Sequence, residues 1–173
     1  MELKDILKDI GAIKFGEFTL RSGKKSNYYV DLKKATCNPD VLRIMAEEVV
    51  SRIPNGTDRL AGLELGSVPI AAVASVLSGI PMVIVRKEKK GYGTGNQVEG
   101  DLKEGDEVFI IEDTTTTGGQ IVKATKALRS AGAVVKKAVV IVNRQEGSDE
   151  AVGSEDVHLI SVISASELLG GRE

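Results

Sequence analysis

The sequence predicts an α/β domain in which a Rossmann-like parallel sheet is flanked by helices and carries a small N-terminal hood. Short apolar runs rich in Val and Ile lack the polar alternation of half-exposed strands, which is typical of strands buried on both faces. Helical patterns separate these runs, and the repeated order of strand, helix, strand implies right-handed crossovers between parallel strands. The strands are predicted at residues 60–65, 82–85, 108–111, 139–142 and 159–163.

The first 37 residues depart from this order and are predicted to form the hood (residues 1–37). An amphipathic helix begins it, and strand-like stretches at 17–21 and 27–32 flank a hairpin loop, Ser-Gly-Lys-Lys at 22–25. The hood would cover the edge of the sheet where ligands bind. Because no linker or internal repeat interrupts the chain, residues 1–173 are predicted to form a single domain.

Three helices are predicted between the strands. Asn38 followed by Pro39 is a helix start, with Asn as the cap and Pro at the first position, and an apolar stripe follows at helical spacing. Residues 68–77 are so apolar that we expect this second helix to be buried more fully. The third helix is predicted from about Gly119 to a left-handed glycine near Gly132. Its buried face is expected to carry Ile121, Ala124, Thr125 and Leu128.

Composition argues against several classes of function. The 173 residues hold 23 basic and 25 acidic side chains, a net charge of -2, so there is no general basic field for a nucleic acid. Aromatic residues make up 3% of the chain, too few for a base-stacking platform. The charged N-terminus is unlike a signal peptide, and no apolar run reaches the roughly 18–20 residues of a membrane span. We therefore expect a cytoplasmic protein that binds neither nucleic acid nor membrane.

The most informative stretch follows the predicted strand at 108–111. Two acids, Glu112 and Asp113, come first, and four threonines and a Gly-Gly pair lead into the third helix. At the carboxyl end of a parallel strand, helix N–H groups and threonine hydroxyls would hold a phosphate, and the acids would accept hydrogen bonds from a ribose diol. The alternative is that Asp113 and the threonines only turn the chain and cap the helix. We name residues 114–118 the phosphate loop; they are Thr114, Thr115, Thr116, Thr117 and Gly118.

Residues 86–100 form a second candidate element, which we call the lid. Four cations, one early acid and four glycines predict a mobile cationic segment that closes over an anion, and the alternative is a solvated surface loop. Other phosphate motifs do not match. The chain has no G-x-x-x-x-G-K-[ST], and the glycines at 91, 93 and 95 do not continue as G-x-G-x-x-G. A kinase or a dinucleotide-dependent oxidoreductase is therefore disfavoured.

Together these segments resemble the phosphoribosyltransferase family. An apolar strand, two acids and a short Thr/Gly loop are that family's diphosphoribose-binding motif, which Glu112 through Gly118 match. Three more segments are similar to the orotate-using members: residues 15–26 resemble "FGxFxLxSGxxS", residues 86–93 resemble "RKExKxxG", and residues 143–147 resemble "DRxxG". Their order and spacing along the chain fit the family.

The resemblance implies the type I phosphoribosyltransferase fold. It implies transfer of a phosphoribosyl group from 5-phosphoribosyl-1-pyrophosphate (PRPP) to orotate, giving orotidine 5′-monophosphate and pyrophosphate in pyrimidine (UMP) biosynthesis. It further implies Mg²⁺ bound mainly through PRPP and water, with no direct side-chain ligand expected, and a homodimer in which each lid reaches the neighbour's site. The implied catalytic residues are Arg86, Lys87, Lys90 and Asp113. The implied PRPP ligands are Glu112, Asp113, Thr114, Thr115, Thr116, Thr117, Gly118, Arg86, Lys87, Lys90, Tyr92 and Ser67. The implied orotate ligands are Arg144, Arg21, Tyr29 and Thr116.

The chain departs from the family at a few positions. Residues 65–69 hold no lysine, where some members have one, so pyrophosphate would rely there on backbone N–H groups and Ser67. Tyr92 stands where many members have His, Arg21 replaces a frequent Lys, and Asn143 replaces a frequent Asp. Two alternatives stay open at this point. One is transfer to another nucleobase, and the other is a non-catalytic protein that senses PRPP.

Overall fold

The structure is a computed structural model that describes residues 2–19, 25–88 and 97–169. Its described elements alternate along the chain much as the sequence predicts. In chain order they are α1 (Leu3–Asp9), β1 (Ile13–Thr19), β2 (Lys25–Val30), α2 (Lys33–Thr36), α3 (Pro39–Val50), β3 (Arg59–Leu63), α4 (Val68–Ser78), β4 (Met82–Val85), β5 (Val98–Glu99), β6 (Glu107–Thr115), α5 (Gly119–Ser130), β7 (Val134–Asn143), α6 (Ser148–Gly153), β8 (His158–Ser164) and α7 (Ala165–Leu169).

The main sheet has the strand order β5-β4-β3-β6-β7-β8. Its strands are parallel except the short β5, which pairs antiparallel with β4 at one edge. The chain runs outward from β3 to β4 and then returns past β3 to β6, so the direction of winding reverses between β3 and β6. Open parallel sheets bind ligands beyond the carboxyl ends of the strands at such a switch point. The predicted Rossmann-like parallel sheet is confirmed, and the ligand edge follows from its topology.

Successive residues of the central strands face opposite sides of the sheet. Leu60 and Phe109 pack with α1, α3 and α4 in one core cluster, whereas their neighbours Ala61 and Ile110 pack with α5 and α6 in another. Each strand therefore has an apolar partner layer on both faces, which is why these strands lack polar alternation.

Strands β6 and β7 are longer than their apolar runs predict. The acids Glu112 and Asp113 lie inside β6 and do not follow it, and the strand ends only at Thr115. The cause is the neighbouring strand, because β7 pairs with β6 as far as Thr115 opposite Asn143. The prediction that the strand ends at the acids is therefore wrong. The irregular part of the phosphate loop shortens to residues 116–118.

The predictions for α3 and α5 are confirmed, and the prediction that α4 is more fully buried is wrong in part. The Asn38 side chain accepts hydrogen bonds from two N–H groups in the first turn of α3, and α5 buries the predicted face. Helix α4, however, is buried on one side only, because Val76 is 83% exposed and Leu77 is 43% exposed. Its composition is apolar all round, and nothing in the described chain covers the outer face.

The hood contains α1 and an antiparallel pair of strands, β1 and β2, in the described residues. The first strand begins at Ile13, earlier than predicted, and the residues that would form the hairpin turn lie outside the described part of the chain. Leu7 and Tyr28 join the same core cluster as α3 and α4, so the hood packs on one face of the sheet. In the described ranges, no helix has both the length and the apolar character needed to cross a bilayer.

Candidate functional site

The loop after β3 and the acidic end of β6 touch at the switch point. A Cβ atom placed on Gly66 would lie 2.2 Å from Oδ2 of Asp113, a distance that no real side chain permits. Only glycine therefore lets this loop lie against the carboxylate. The same loop contains a cis peptide bond between Glu64 and Leu65. We call the space between this loop and the acids the cleft, with residues 64–67 on one side and residues 112–113 on the other.

The two acids of the cleft interact with each other and with their own backbone. Glu112 is buried and its Oε1 accepts the N–H of Asp113 at 2.9 Å, while Oδ1 of Asp113 accepts the N–H of Thr114 at 2.7 Å. Burial raises the pKa of Glu112 well above its ordinary value, and the neighbouring Asp113 carboxylate raises it further. The Asp113 N–H and the charge of Lys87 act in the opposite direction. Glu112 therefore holds a proton more tightly than a solvated glutamate, and Lys87 lies close enough to oppose that.

Replacing Glu112 with glutamine should change how stability depends on pH. A raised pKa favours the protonated folded form, so the stability that Glu112 contributes is complete at low pH and is lost as pH rises through the folded-state pKa. We expect Glu112→Gln to unfold at the same urea concentration as the wild type at about pH 5. At about pH 8 it should unfold at a higher urea concentration than the wild type. Urea unfolding across that range is the measurement, with the exposed Glu150→Gln as control. A difference between the chains that stays constant with pH would contradict the expectation.

The phosphate loop is closed by its own backbone and by Thr115. The buried Oγ1 of Thr115 accepts the N–H of Gly118 at 3.2 Å, and Gly118 takes a left-handed φ of +79° just before α5. A Cβ on Gly118 would also meet α6, at 3.0 Å from the Ser148 carbonyl oxygen. Since Gly118 has no side chain to cap the helix, the first turn of α5 offers its N–H groups to an anion. Thr116 is half-buried and Thr117 is exposed beside it.

Ser67 does not present its hydroxyl to the cleft. The side chain is fully buried, its Oγ donates to the carbonyl oxygen of Leu63 at 3.1 Å, and it accepts the N–H of Leu63 at 2.7 Å. A hydroxyl has one proton to donate, and this one is used within the fold. This geometry does not favour the predicted contact between the Ser67 hydroxyl and pyrophosphate, which stays a prediction. Backbone N–H groups of residues 65–67 remain the candidates.

The two ends of the lid are hydrogen-bonded to each other. The N–H of Arg86 donates to the carbonyl oxygen of Gln97 at 2.9 Å, and Nε2 of Gln97 donates to the carbonyl oxygen of Arg86 at 3.1 Å. The N–H of Lys87 donates to Oε2 of Glu64 at 3.2 Å, which ties the lid to the loop after β3. Nε of Arg86 is buried without an acceptor in the described part of the chain. Lys90 and Tyr92, both predicted PRPP ligands, lie outside the described residues.

Arg144 follows the carboxyl end of β7 and contacts the hood. Its guanidinium carbon lies 4.8 Å from the centre of the Tyr28 ring, its Nη2 donates to Oγ of Ser26 at 3.2 Å, and its Nε is 3.0 Å from Oε1 of Glu146. The Arg144 side chain is only 9% exposed, so it is not a surface ion pair. This arrangement suits planar recognition of a carboxylate, for which arginine is well shaped.

The two hood tyrosines point to opposite faces of β2, as expected for neighbouring strand positions. The one beside Arg144 is Tyr28. Tyr29, predicted to line the base pocket, is 43% exposed and packs against the Phe18 ring at a tilt of 35°, with ring centres 5.7 Å apart. The structure thus brings Tyr28, and not Tyr29, to Arg144. Arg21 lies outside the described residues, so its predicted contact with the base stays a prediction.

Asn143 holds the turn that carries Arg144, a role that the sequence analysis did not predict. It is buried, its Nδ2 donates to Asp149 and Ser161, and its Oδ1 accepts the Gln145 N–H and the Ser148 hydroxyl. These four bonds hold the turn that carries Arg144. The available signal was a polar side chain directly after the apolar run at 138–142, where desolvation demands that every polar atom find a partner.

No group of three or more His, Cys, Asp and Glu side chains in the described ranges is placed to hold a metal ion. Glu112 and Asp113 are two hard oxygen donors on the cleft. Such a donor set fits a Mg²⁺ ion that keeps most of its ligands as water and substrate oxygens.

A family model, curated relatives and a solved structure all match this chain over most of its length. The phosphoribosyl transferase domain model matches residues 38–164. The chain is 50% identical over 167 residues to an orotate phosphoribosyltransferase of Methanocaldococcus jannaschii, covering 96% of this chain and 95% of that one. It is 48% identical over 169 residues to one of Methanocella arvoryzae, covering 98% and 97%. The crystal structure of orotate phosphoribosyltransferase from Aeropyrum pernix superposes with a TM-score of 0.87 at 33% identity, covering 97% of this chain and 96% of that one.

Proposed function

Because the chain belongs to the phosphoribosyl transferase family, within its orotate phosphoribosyltransferases, we propose that the cleft binds PRPP and transfers its phosphoribosyl group to orotate. The observation that carries this proposal is the contact between Gly66 and Asp113, which sets a backbone loop against two acids at the switch point. A ligand with a ribose diol between a pyrophosphate and a 5′-phosphate fits that arrangement. We place the reaction in the cytoplasm, because so highly charged a sugar does not cross membranes unaided.

Each part of PRPP has a complementary part of the cleft. Glu112 and Asp113 accept hydrogen bonds from the 2′- and 3′-hydroxyls, which are good donors to carboxylates. The phosphate loop and the first turn of α5 bind the 5′-phosphate through N–H groups and threonine hydroxyls. The pyrophosphate lies toward residues 65–67, where backbone N–H groups take the place of the missing lysine.

In the transfer, the bond between C1′ and the pyrophosphate oxygen breaks, and a bond from the orotate ring nitrogen to C1′ forms. Pyrophosphate leaves with the electron pair, and the nitrogen loses its proton to solvent. Positive charge grows on the ribose and negative charge on the leaving group, so Asp113 stabilises the sugar while Arg86 and Lys87 stabilise the pyrophosphate. Lys90 and Tyr92 would add to this from the lid. When bound, Mg²⁺ supplies a Lewis acid and a template for the substrate oxygens.

The orotate carboxylate pairs with Arg144. That guanidinium is already oriented by the Tyr28 ring and the Ser26 hydroxyl, so little side-chain entropy is lost when the substrate binds. Thr116, Arg21 and Tyr29 remain proposed contacts on the other sides of the base.

We further propose that the working form is a homodimer. Leu65 in the loop after β3 and Val76 and Leu77 on α4 are large apolar side chains exposed on the described surface. Large apolar side chains exposed at these places are sites on which a partner chain would pack. Since Leu65 adjoins the pyrophosphate side of the cleft, a partner seated there would bring its own lid close to that site.

Mixing two inactive chains should restore activity if sites are shared. One chain would carry Lys90→Ala in the lid, and the other Asp113→Asn in the cleft. Random pairing leaves one site in four with an intact cleft and an intact lid, so about a quarter of the wild-type activity is expected. Two different cleft-defective chains form the control, which should stay inactive. An inactive mixture that contains dimers of the two chains would rule out sharing.

One assay tests the activity itself. The chain, Mg²⁺, PRPP and orotate are mixed, and the loss of orotate absorbance is followed. Turnover of orotate but not of uracil supports the proposal. Turnover of uracil alone would indicate another nucleobase, and PRPP binding without turnover of either base would indicate a non-catalytic sensor.

A further inference from the structure

Arg144 is held in place without help from Glu146. Its N–H donates to the carbonyl oxygen of Thr115 at 2.9 Å, which fixes the backbone against the end of β6. The Tyr28 ring supports one face of the guanidinium, and Ser26 accepts from Nη2. Both hood contacts come from β2, an element separate from the turn that carries Arg144 and Glu146. The position of the guanidinium is therefore set by three groups other than the Glu146 carboxylate.

The contact between Arg144 and Glu146 is close but poorly aligned. Oε1 of Glu146 is 3.0 Å from Nε of Arg144, yet the buried Nε–H has no acceptor in hydrogen-bonding geometry among the described residues. The Glu146 side chain is 35% exposed, against 9% for Arg144. The pair is thus a charge contact in which one partner is confined and the other reaches solvent.

Two hydrogen bonds of Gln145 fix the chain just before Glu146. The N–H of Gln145 donates to Oδ1 of Asn143, and Oε1 of Gln145 accepts the N–H of Ser166 at the start of α7. Gln145 also takes a left-handed φ of 55°, which these two bonds maintain. Rotation of the Glu146 side chain toward solvent would therefore leave the turn and Arg144 where they are.

We propose that Glu146 is the resident counter-ion of Arg144, and that the carboxylate of the incoming base takes its place. The inference rests on the proposed function, since it requires an anionic base at Arg144. Without substrate, Glu146 compensates a cation that is largely withdrawn from water. With substrate, the ligand carboxylate pairs with the guanidinium and Glu146 turns outward. The same competition acts on the product, which carries the same carboxylate, so Glu146 limits product affinity and speeds product release.

The test compares two nucleotides that differ in that carboxylate. Orotidine 5′-monophosphate has it and uridine 5′-monophosphate lacks it, and calorimetry gives the dissociation constant of each. Glu146→Gln keeps the shape and removes the charge, so it should bind orotidine 5′-monophosphate about three- to tenfold more tightly, the range expected for a partly exposed charge pair. Uridine 5′-monophosphate should bind as it does to the wild type. Because salt screens charges, the gain should shrink as ionic strength rises.

Glu150→Gln is the matched control, since it makes the same change on an exposed position four residues along, on α6. It should leave both dissociation constants unchanged. Weaker binding of orotidine 5′-monophosphate by Glu146→Gln would overturn the inference by making Glu146 a positioning residue. Equal tightening toward both nucleotides would overturn it as well. A wild-type chain that does not distinguish the two nucleotides, and does not turn over orotate, would instead remove the proposed function on which the inference rests.

Discussion

Replacing Asp113 with asparagine should lower kcat/KM by about 10²–10³-fold, the range seen when one preorganised electrostatic partner of a transition state is removed. Asparagine has nearly the same size, so it can keep the contact with Gly66 and the hydrogen bond that Oδ1 accepts from the Thr114 N–H. What it loses is the negative charge beside the ribose. Steady-state kinetics with varied PRPP and varied orotate is the measurement.

The effect of Asp113→Asn should fall mainly on kcat, because positive charge on the ribose develops only in the transition state. Asp156→Asn is a suitable control. Asp156 is exposed just before β8, at the edge of the sheet away from the cleft, and its left-handed φ of 55° is one that asparagine tolerates. Kinetics of the control should match the wild type. Full activity of Asp113→Asn would show that this carboxylate does not face the reacting sugar.

Replacing Arg144 with alanine should raise KM for orotate and lower kcat/KM by about 10²–10³-fold, as expected when one partner of a buried charge pair is removed. The side chain is 9% exposed and already oriented by Tyr28 and Ser26, so the lost interaction is well formed and poorly replaced by water. KM for PRPP should change little, because the phosphate loop and the acids are untouched.

Arg144→Lys is the matched comparison, since it keeps the charge and loses the planar pair of donors. We expect it to recover little, because an ammonium cannot reproduce the stacking on Tyr28 together with two-point pairing. If Arg144 recognises the carboxylate, Arg144→Ala should reduce transfer to orotate more than transfer to a neutral base. If Arg144→Ala reduced transfer to a neutral base as severely as transfer to orotate, the guanidinium would not be recognising the carboxylate.

Local patterns were sufficient for the fold class. The Asn38 cap and the buried face of α5 depend only on residues near in sequence, and both are confirmed. The acidic pair followed by threonines could be placed at a ligand edge, because the carboxyl ends of parallel strands meet at one edge of the sheet.

Features that depend on distant partners could not be predicted in this way. The extension of β6 through Thr115 comes from pairing with β7. The polar residues at the end of β6 do not indicate from the sequence that a neighbouring strand pairs with them. Ser67 was predicted to bind a ligand because hydroxyls do so, but its nearest groups are the N–H and carbonyl oxygen of Leu63. The choice between Tyr28 and Tyr29 depended on which face of β2 meets Arg144, which alternation alone does not decide.

The contact of Gly66 with Asp113 restricts how this protein can vary. Any methyl or larger group at position 66 and any carboxylate or amide at position 113 would occupy the same volume. Position 66 therefore cannot change alone: a bulkier residue in the loop would require a smaller residue on the strand, and with it the loss of the acid. Across related sequences, a residue larger than glycine at position 66 should occur only where position 113 has given up its acid.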